Sequence, residues 1–299
     1  MVIMDIVLLM VLAMSVGPLV IATAIRFLLL RNTTPLGRLV AILTVIAGLL
    51  PAAGAILPML SSWIPLIPLS LDLAILAAVP LALGIVAMPL LMVPPRRVHT
   101  GGVAALNRRH MRRFVPVRWT WLLLALVVLV LVPTIAAGAA SSRDEYGHYT
   151  LYRTSLGTTR IATRIYGWHY SVPSLIMLAL LLAMIFAALF VITSRAWDDD
   201  IEADAAVRRL RAANVLRIGG GAILLHLFVI LQSIAGTAGL RGAATTTELG
   251  TVAMGTPFAA LQPWLFWMSL AAFVVGLTLH LLTALMAIPA RRVATASRS

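Results

Sequence analysis

Seven apolar runs of about twenty residues constrain this chain more than any other feature, because each can cross about 30 Å of hydrocarbon as a helix. Charged residues make up only 11% of the 299 residues, against roughly 25% in an ordinary soluble domain. The sequence therefore predicts an all-α integral membrane protein, a single seven-transmembrane-helix bundle. The expected spans are residues 2–25, 37–60, 69–93, 119–140, 172–194, 217–238 and 262–289.

The arginines predict the orientation of these spans. Cytoplasmic loops of membrane proteins carry an excess of basic residues, and segments 94–118 and 195–217 are rich in arginine. Both are expected in the cytoplasm, with the N-terminus outside and the C-terminus inside a bacterial plasma membrane. The net charge of +13 then reflects arginines beside the spans that contact the lipid bilayer, and nucleic acid is not an expected partner.

Two absences exclude whole classes of chemistry. The chain has no cysteine, and all 23 basic residues are arginine. Disulfides, thiolate metal sites, lysine Schiff bases and a Walker phosphate loop are therefore excluded. The sequence shows no nucleophile, base and acid in a catalytic spacing, which argues against an enzymatic activity of its own. Any role driven by ATP would need a separate ATPase.

All five tyrosines lie between residues 146 and 170, in the predicted extracellular loop 141–171. Residues 149–166 alternate around Leu156 and Gly157, a pattern that predicts a small β-hairpin. Tyr166, Trp168 and Tyr170 are expected to form an aromatic collar at the membrane surface. The remaining tyrosines and the arginines of this loop are predicted to contact an extracellular partner: Tyr146, Tyr149, Tyr152, Arg153, Arg160 and Arg164.

Two histidines lie deep inside predicted spans, where ionisable residues are functional candidates. His226 and His280 have nearly the same expected depth, and each shares a helical face with small and polar residues. We therefore expect both rings to point into the bundle and toward each other. Three interpretations stay open: hydrogen-bonded structural histidines, a proton or substrate site, and ligands of haem b. The other polar residues of this intramembrane face are Gln232, Ser233, Ser269 and Thr283.

Two cytoplasmic segments have the charge pattern of short helices, at 103–114 and at 198–217. The second has acids in its first turns and arginines in its last, which matches a helix dipole, and it could run directly into the sixth span. Such helices either lie on the inner leaflet or dock on a partner ATPase. The predicted partner contacts are Arg108, Arg109, Arg112, Arg113, Arg208, Arg209 and Arg211.

Part of the second half resembles a known group of proteins. The stretches "RIYGWHYSVPSLIMLALLLAMIFAALFVIT" and "EADAAVRRLRAANVLRIGGGAILL" are similar to uncharacterised actinobacterial multi-span membrane proteins, which enter a span through a Trp-Tyr-Tyr-Gly-Val-Pro-like motif. This chain has Trp-His-Tyr-Ser-Val-Pro at residues 168–173 and so departs at two positions. The resemblance implies a companion of a small ATP-binding-cassette system, and it carries over no catalytic residue.

These observations lead to one expected function and two alternatives. The expected function is a permease-like membrane subunit of a transport system, energised by a separate ATPase. The first alternative is an accessory or assembly subunit that contacts its partners through the outer loop, and the second is a redox subunit that binds haem b. The sequence predicts neither a transported substrate nor an oligomeric state.

Overall fold

The computed structural model describes residues 14, 16–30, 35–61, 72–94, 114–156, 159–194, 201–246 and 250–288. Within these ranges the chain forms helices and two small sheets. The helices are α1 (Val16–Leu29, ending in a π-helical turn), α2 (Arg38–Ser61), α3 (Leu73–Met92), α4 (Val117–Ala140), α5 (Trp168–Ser194), α6 (Ile201–Ala238) and α7 (Gln262–Leu285). The strands are β1 (Ser142–Arg143), β2 (Tyr149–Leu156), β3 (Thr159–Arg164), β4 (Arg241–Thr246) and β5 (Gly250–Gly255).

Helices α2 to α7 are each long and apolar enough to cross a membrane, so the coarse prediction of a helical membrane protein is confirmed. Helices α2, α3, α4, α5 and α7 begin and end within four residues of the expected spans. The described part of α1, Val16–Leu29, is shorter than a span, and residues 2–13 and 15 of the first expected span lie outside the described residues.

Helix α6 is the centre of the bundle. It is 38 residues long, or about 57 Å at 1.5 Å per residue, because the predicted cytoplasmic helix and the sixth span are continuous. In its most apolar window 72% of the residues are buried, against 22–44% in the other five long helices. It contacts α2, α3, α4, α5 and α7. Gly219, Gly220 and Gly221 have only a hydrogen atom in place of a side chain, so several neighbouring helices can approach α6 closely at once.

Glycines set the closest helix contacts. A Cβ atom on Gly221 of α6 would lie 3.0 Å from the Gly276 carbonyl oxygen of α7, and one on Gly276 would lie 3.0 Å from the Gly221 carbonyl oxygen. On the other side of α7, a Cβ on Gly48 of α2 would lie 2.6 Å from the His280 carbonyl oxygen. Helix α7 therefore packs backbone against backbone between α2 and α6, which only glycine permits at these positions.

Helices α1, α3, α5 and α7 all end at one side of the bundle, which we call the arginine end. Three buried arginines donate hydrogen bonds to carbonyl oxygens at those helix ends. Arg26 reaches the Leu30, Leu285 and Ile288 oxygens at 2.6–3.2 Å, and Arg211 reaches Leu91 and Val93 at 2.6 Å. Arg208 reaches Thr193 at 3.1 Å. These bonds satisfy carbonyls that a helix leaves without an intrahelical donor.

The opposite side, the sheet end, has both sheets. Strands β1, β2 and β3 pair in that order, all antiparallel, between α4 and α5. The register pairs Tyr152 with Thr163 and Arg153 with Ala162, so the expected hairpin is present. Strands β4 and β5 form a second hairpin between α6 and α7, which the sequence analysis missed. We call the segments 141–167 and 239–258 together the cap.

The two hairpins of the cap touch each other and the bundle. The ring of Tyr152 meets Phe258 edge-on at 5.4 Å between centroids, and β3 contacts β4. The Thr237 hydroxyl donates to the Arg164 carbonyl at 3.2 Å, and the Thr256 hydroxyl donates to Ala238 at 3.0 Å. The end of α6 is thereby fastened to both hairpins, so the cap is a folded part of the molecule.

We predict that Gly221→Ala destabilises the protein and that Gly236→Ala, in the same helix, does not. The new methyl at residue 221 would lie 2.8 Å from His280 Nε2, and overpacking of this kind costs about 1–3 kcal/mol. At Gly236 nothing lies within 4 Å of the new atom, so that change is neutral or stabilising by up to about 1 kcal/mol. Thermal unfolding of the two purified variants measures the difference, and equal effects would contradict the packing described above.

Candidate functional site

His226 lies in a polar cluster at the sheet end of α6. Its side chain is 2% exposed. Nδ1 is 2.8 Å from the Ala77 carbonyl oxygen of α3, so this nitrogen is the protonated donor. Nε2 is 3.5 Å from the Tyr166 hydroxyl, whose single proton is shared with the Tyr170 carbonyl oxygen, also 3.5 Å away. The ring is therefore held in one tautomer by two partners, as in a hydrogen-bonded structural histidine.

Tyr166 links this cluster to the cap. It follows β3, is wholly buried, and meets the His226 ring edge-on at 6.0 Å between centroids. Its burial raises the pKa of the phenol to about 12, so the hydroxyl keeps its proton at physiological pH. Tyr170, in the first turn of α5, is also buried and stacks on Tyr166 at 6.3 Å.

His280 has a different environment. Its side chain is wholly buried, and neither ring nitrogen hydrogen-bonds to any residue in the described ranges. The ring packs against Gly221 of α6. Without such bonds, the imidazole contributes to the α6–α7 contact through its packing volume. A buried polar group without a partner usually costs about 1–3 kcal/mol.

The expectation that the two histidines face each other is wrong. His226 points from α6 toward α3 and Tyr166, whereas His280 packs against Gly221. Residues 221 and 226 are five apart, which places them about 140° apart around the axis of α6. Bis-histidine ligation of haem b needs two rings on opposite sides of one group, and these two rings do not fit it. Across the described ranges, no three His, Cys, Asp or Glu side chains cluster in a way that could hold a metal ion.

The other predicted polar residues fall into two sets. Ser269 and Thr283 are buried, and their hydroxyls donate to carbonyls of their own helix, Phe266 at 2.6 Å and Leu279 at 2.9 Å. They therefore add no polar surface between the helices. Gln232 and Ser233 of α6 are half-buried and line a cavity. The Gln232 side chain donates no hydrogen bond to the described residues.

Two of the predicted cytoplasmic contact residues are structural. Arg208 and Arg211 are 1% and 3% exposed and bind the helix ends described above. Arg208 also forms an ion pair with Asp204 and lies over the Phe114 ring at 5.4 Å. The expectation that they present a docking surface is wrong for these two, while Arg209 is exposed. The remaining predicted contacts lie outside the described residues: Arg108, Arg109, Arg112 and Arg113.

The outward face of the cap carries most of the predicted extracellular contacts. Arg153, Arg160 and Arg164 are exposed on β2 and β3, while Tyr152 on the other face packs on Phe258. Arg153 donates to the Arg143 carbonyl at 2.7 Å, and the Arg143 guanidinium lies 5.2 Å from the Tyr149 ring centroid. Tyr146 is 84% exposed.

The expected aromatic collar is wrong for Tyr166 and Tyr170. Rings at a membrane surface are exposed to lipid and water, and both of these are enclosed by protein. Trp168 packs against Gly138, whose added Cβ would lie 2.7 Å from the indole ring. The three aromatic residues therefore fix the junction between the β2–β3 hairpin, α4 and α5.

Asp144 organises the turn that presents Tyr146. Its carboxylate accepts from the Tyr146 and His148 amides at 2.9 and 2.8 Å and from the Thr150 hydroxyl at 2.7 Å. Gly147 completes the turn with a φ of +82°, a conformation that favours glycine. The hydrogen bond from the Thr150 hydroxyl, together with the hydrogen bonds from the two backbone amides, holds the pKa of the Asp144 carboxyl below its ordinary value. An Asp followed three residues later by Gly is a turn signal that the sequence analysis did not use.

Comparison of the chain with protein-family models, with curated proteins and with solved structures gives no match. What the chain does must therefore be argued from its own residues.

We predict opposite effects of replacing the two histidines with leucine. His226→Leu removes the donor to the Ala77 carbonyl and one of the two acceptors of the buried Tyr166 hydroxyl, which should cost about 0.5–1.5 kcal/mol, the net value of a hydrogen bond. His280→Leu removes two ring nitrogens without a described partner and should leave stability unchanged or raised. Thermal unfolding of each purified variant measures the change in stability. A loss at His280 as large as that at His226 would mean that the His280 ring is hydrogen-bonded after all.

We also predict that acid loosens the turn at Asp144. Because the pKa of this carboxyl is lower in the folded chain, the ionised group stabilises the turn above the ordinary aspartate pKa of about 3.9. The stabilisation is lost as the pH falls through the lower folded value. Hydrogen exchange of residues 144–150 should show this opening, and Asp144→Ala should show it already at neutral pH. Glu145→Ala is the matched control, and equal opening in both variants would contradict this role of Asp144.

Proposed function

We propose that this chain is a membrane-embedded subunit of a larger complex in a bacterial plasma membrane, and that it meets a partner outside the cell through the cap. The observation that carries the proposal is the outward face of the cap. Tyr146, Arg160 and Arg164 are exposed there and make no side-chain hydrogen bond or ring contact within the described ranges. An interface rich in tyrosine and arginine is typical of protein recognition.

The rest of the cap supports this proposal because it makes that face rigid. Tyr152, Tyr166, Thr237 and Thr256 join the two hairpins to the bundle through buried contacts. A surface that is already ordered loses little conformational freedom when it binds. The excess of arginine in 94–118 and 195–217 supports an orientation with the cap outside.

A transport subunit driven by a separate ATPase is the second candidate. It is favoured by the prolines inside the continuous helices α2 and α3, Pro51, Pro58, Pro80 and Pro89, since each leaves the carbonyl four residues earlier without its usual donor. If the chain is a transport subunit, the ATPase would contact Arg209 and the arginines of 94–118, because Arg208 and Arg211 already bind the ends of helices.

We predict that Tyr146→Ser combined with Arg160→Ser and Arg164→Ser removes co-purifying proteins without unfolding the chain. All three side chains are exposed, so the melting temperature should stay within about 2 °C, the shift expected for surface changes of under 0.5 kcal/mol. Affinity purification from the native membrane, followed by mass spectrometry, measures the associated proteins.

Arg209→Ser, exposed at the arginine end, is the matched control and should keep the partners of the cap. Retention of every associated protein by the triple variant would refute the cap as the contact surface. Loss of an ATP-hydrolysing protein in the Arg209→Ser variant alone would favour the transport candidate instead.

A further inference from the structure

A cavity of about 430 Å³ lies between α2, α3, α6 and α7. Its volume is within the range of about 300–1,000 Å³ for small-molecule sites. Most of its lining is aliphatic, and Phe228 and Phe273 contribute aromatic rings 5.0 Å apart between centroids. The wall also includes Gln232 and Ser233, the two half-buried polar side chains of α6.

Two prolines give this wall a second kind of polar group. Pro58 of α2 and Pro80 of α3 both line the cavity, and a proline has no N–H to donate to the carbonyl four residues earlier. Those carbonyls belong to Gly54 and Leu76, which line the same cavity. Both helices continue through these prolines, and the two residues whose carbonyls lose a donor lie in the wall of one cavity.

Within the part of the chain that the structure describes, no hydrogen bond occupies the side chains of Gln232 and Ser233. An amide and a hydroxyl can each donate and accept. Together with the carbonyls of Gly54 and Leu76, they place more acceptors than donors around an apolar space.

None of the described lining residues is ionisable, so a charged ligand would lose its hydration without compensation. We propose that this cavity binds an uncharged, mostly apolar molecule that carries a hydrogen-bond donor such as a hydroxyl group. About 430 Å³ corresponds to roughly fourteen groups of the size of a water molecule, at about 30 Å³ each. A long-chain alcohol has this size and chemistry. The proposal does not depend on the cap meeting a partner.

A second cavity in the same chain provides an internal comparison. It lies between α4, α6 and α7, has a similar volume of about 420 Å³, and is lined by leucines, other apolar residues and Trp119. It lacks an amide or hydroxyl side chain among its described lining residues. Acyl chains of the bilayer should fill both spaces equally well, and only a ligand with a donor should prefer the cavity of Gln232.

The experiment uses the full chain reconstituted in phosphatidylcholine vesicles, with a dodecanol that carries a photoactivatable diazirine in its chain. Mass spectrometry maps the labelled peptides. We expect labelling in 54–58, 73–80 and 225–233, displaced by unlabelled dodecanol at about a tenfold lower concentration than by dodecane, and not displaced by dodecanoate. Labelling of α4 beside Trp119 should show no such preference between the alcohol and the alkane.

Gln232→Leu keeps the size of the side chain and removes its amide, so the advantage of the alcohol over the alkane should fall about fivefold, the value of one net hydrogen bond of about 1 kcal/mol. Leu123→Phe in the second cavity is the matched control and should leave that advantage unchanged. Equal displacement by dodecanol and dodecane in the native chain would overturn the proposal without any variant, and so would equal displacement by dodecanoate.

Discussion

The bundle depends on the hydrogen bonds that three buried arginines donate at the arginine end. Helices α1, α3, α5 and α7 end there, and each leaves carbonyl oxygens without an intrahelical donor and a partial negative charge. Arg26 binds the ends of α1 and α7, Arg208 binds α5, and Arg211 binds α3. The ends of α3, α5 and α7 are therefore each held by a cation from another helix, and the end of α1 is held by an arginine of its own last turn.

This arrangement also explains why α6 is so long and so central. Two of the three arginines lie on it, at residues 208 and 211, and they reach α3 and α5 only because the helix extends past the ends of both. An arginine fork can bind two carbonyls at once and keeps its charge when buried. Farther along α6, Gly221 packs against α7, His226 hydrogen-bonds to α3, and Thr237 hydrogen-bonds to the cap. The two ends of the molecule are thereby joined by one element.

The sequence predicted the helices and the first hairpin well because those features depend on local pattern. Apolar length defines a span, and alternation defines a strand. The sequence-based predictions failed for features that depend on which element packs against a residue. Heptad spacing showed that His226 shares a face with Ser233, but it could not show that α3 rather than α7 covers that face. Strands β4 and β5 were missed because "RGAATT" and "GTVAMG" consist mostly of small residues, with only Val252 and Met254 in alternating positions. Burial of Arg208 and Arg211 was missed because arginines beside a span are usually exposed to water and lipid headgroups.

The clustering of all tyrosines in one loop has several causes. Tyr166 and Tyr170 fill the junction between the cap and α5, and Tyr152 joins the two hairpins through Phe258. Tyr149 lies beneath the guanidinium of Arg143. These four rings all contribute to the structure of the cap, and they need no partner to explain them. Tyr146 is the one whose ring extends into solvent, held there by the turn of Asp144 and Gly147. An aromatic ring kept exposed by a built turn is the feature that folding alone does not require.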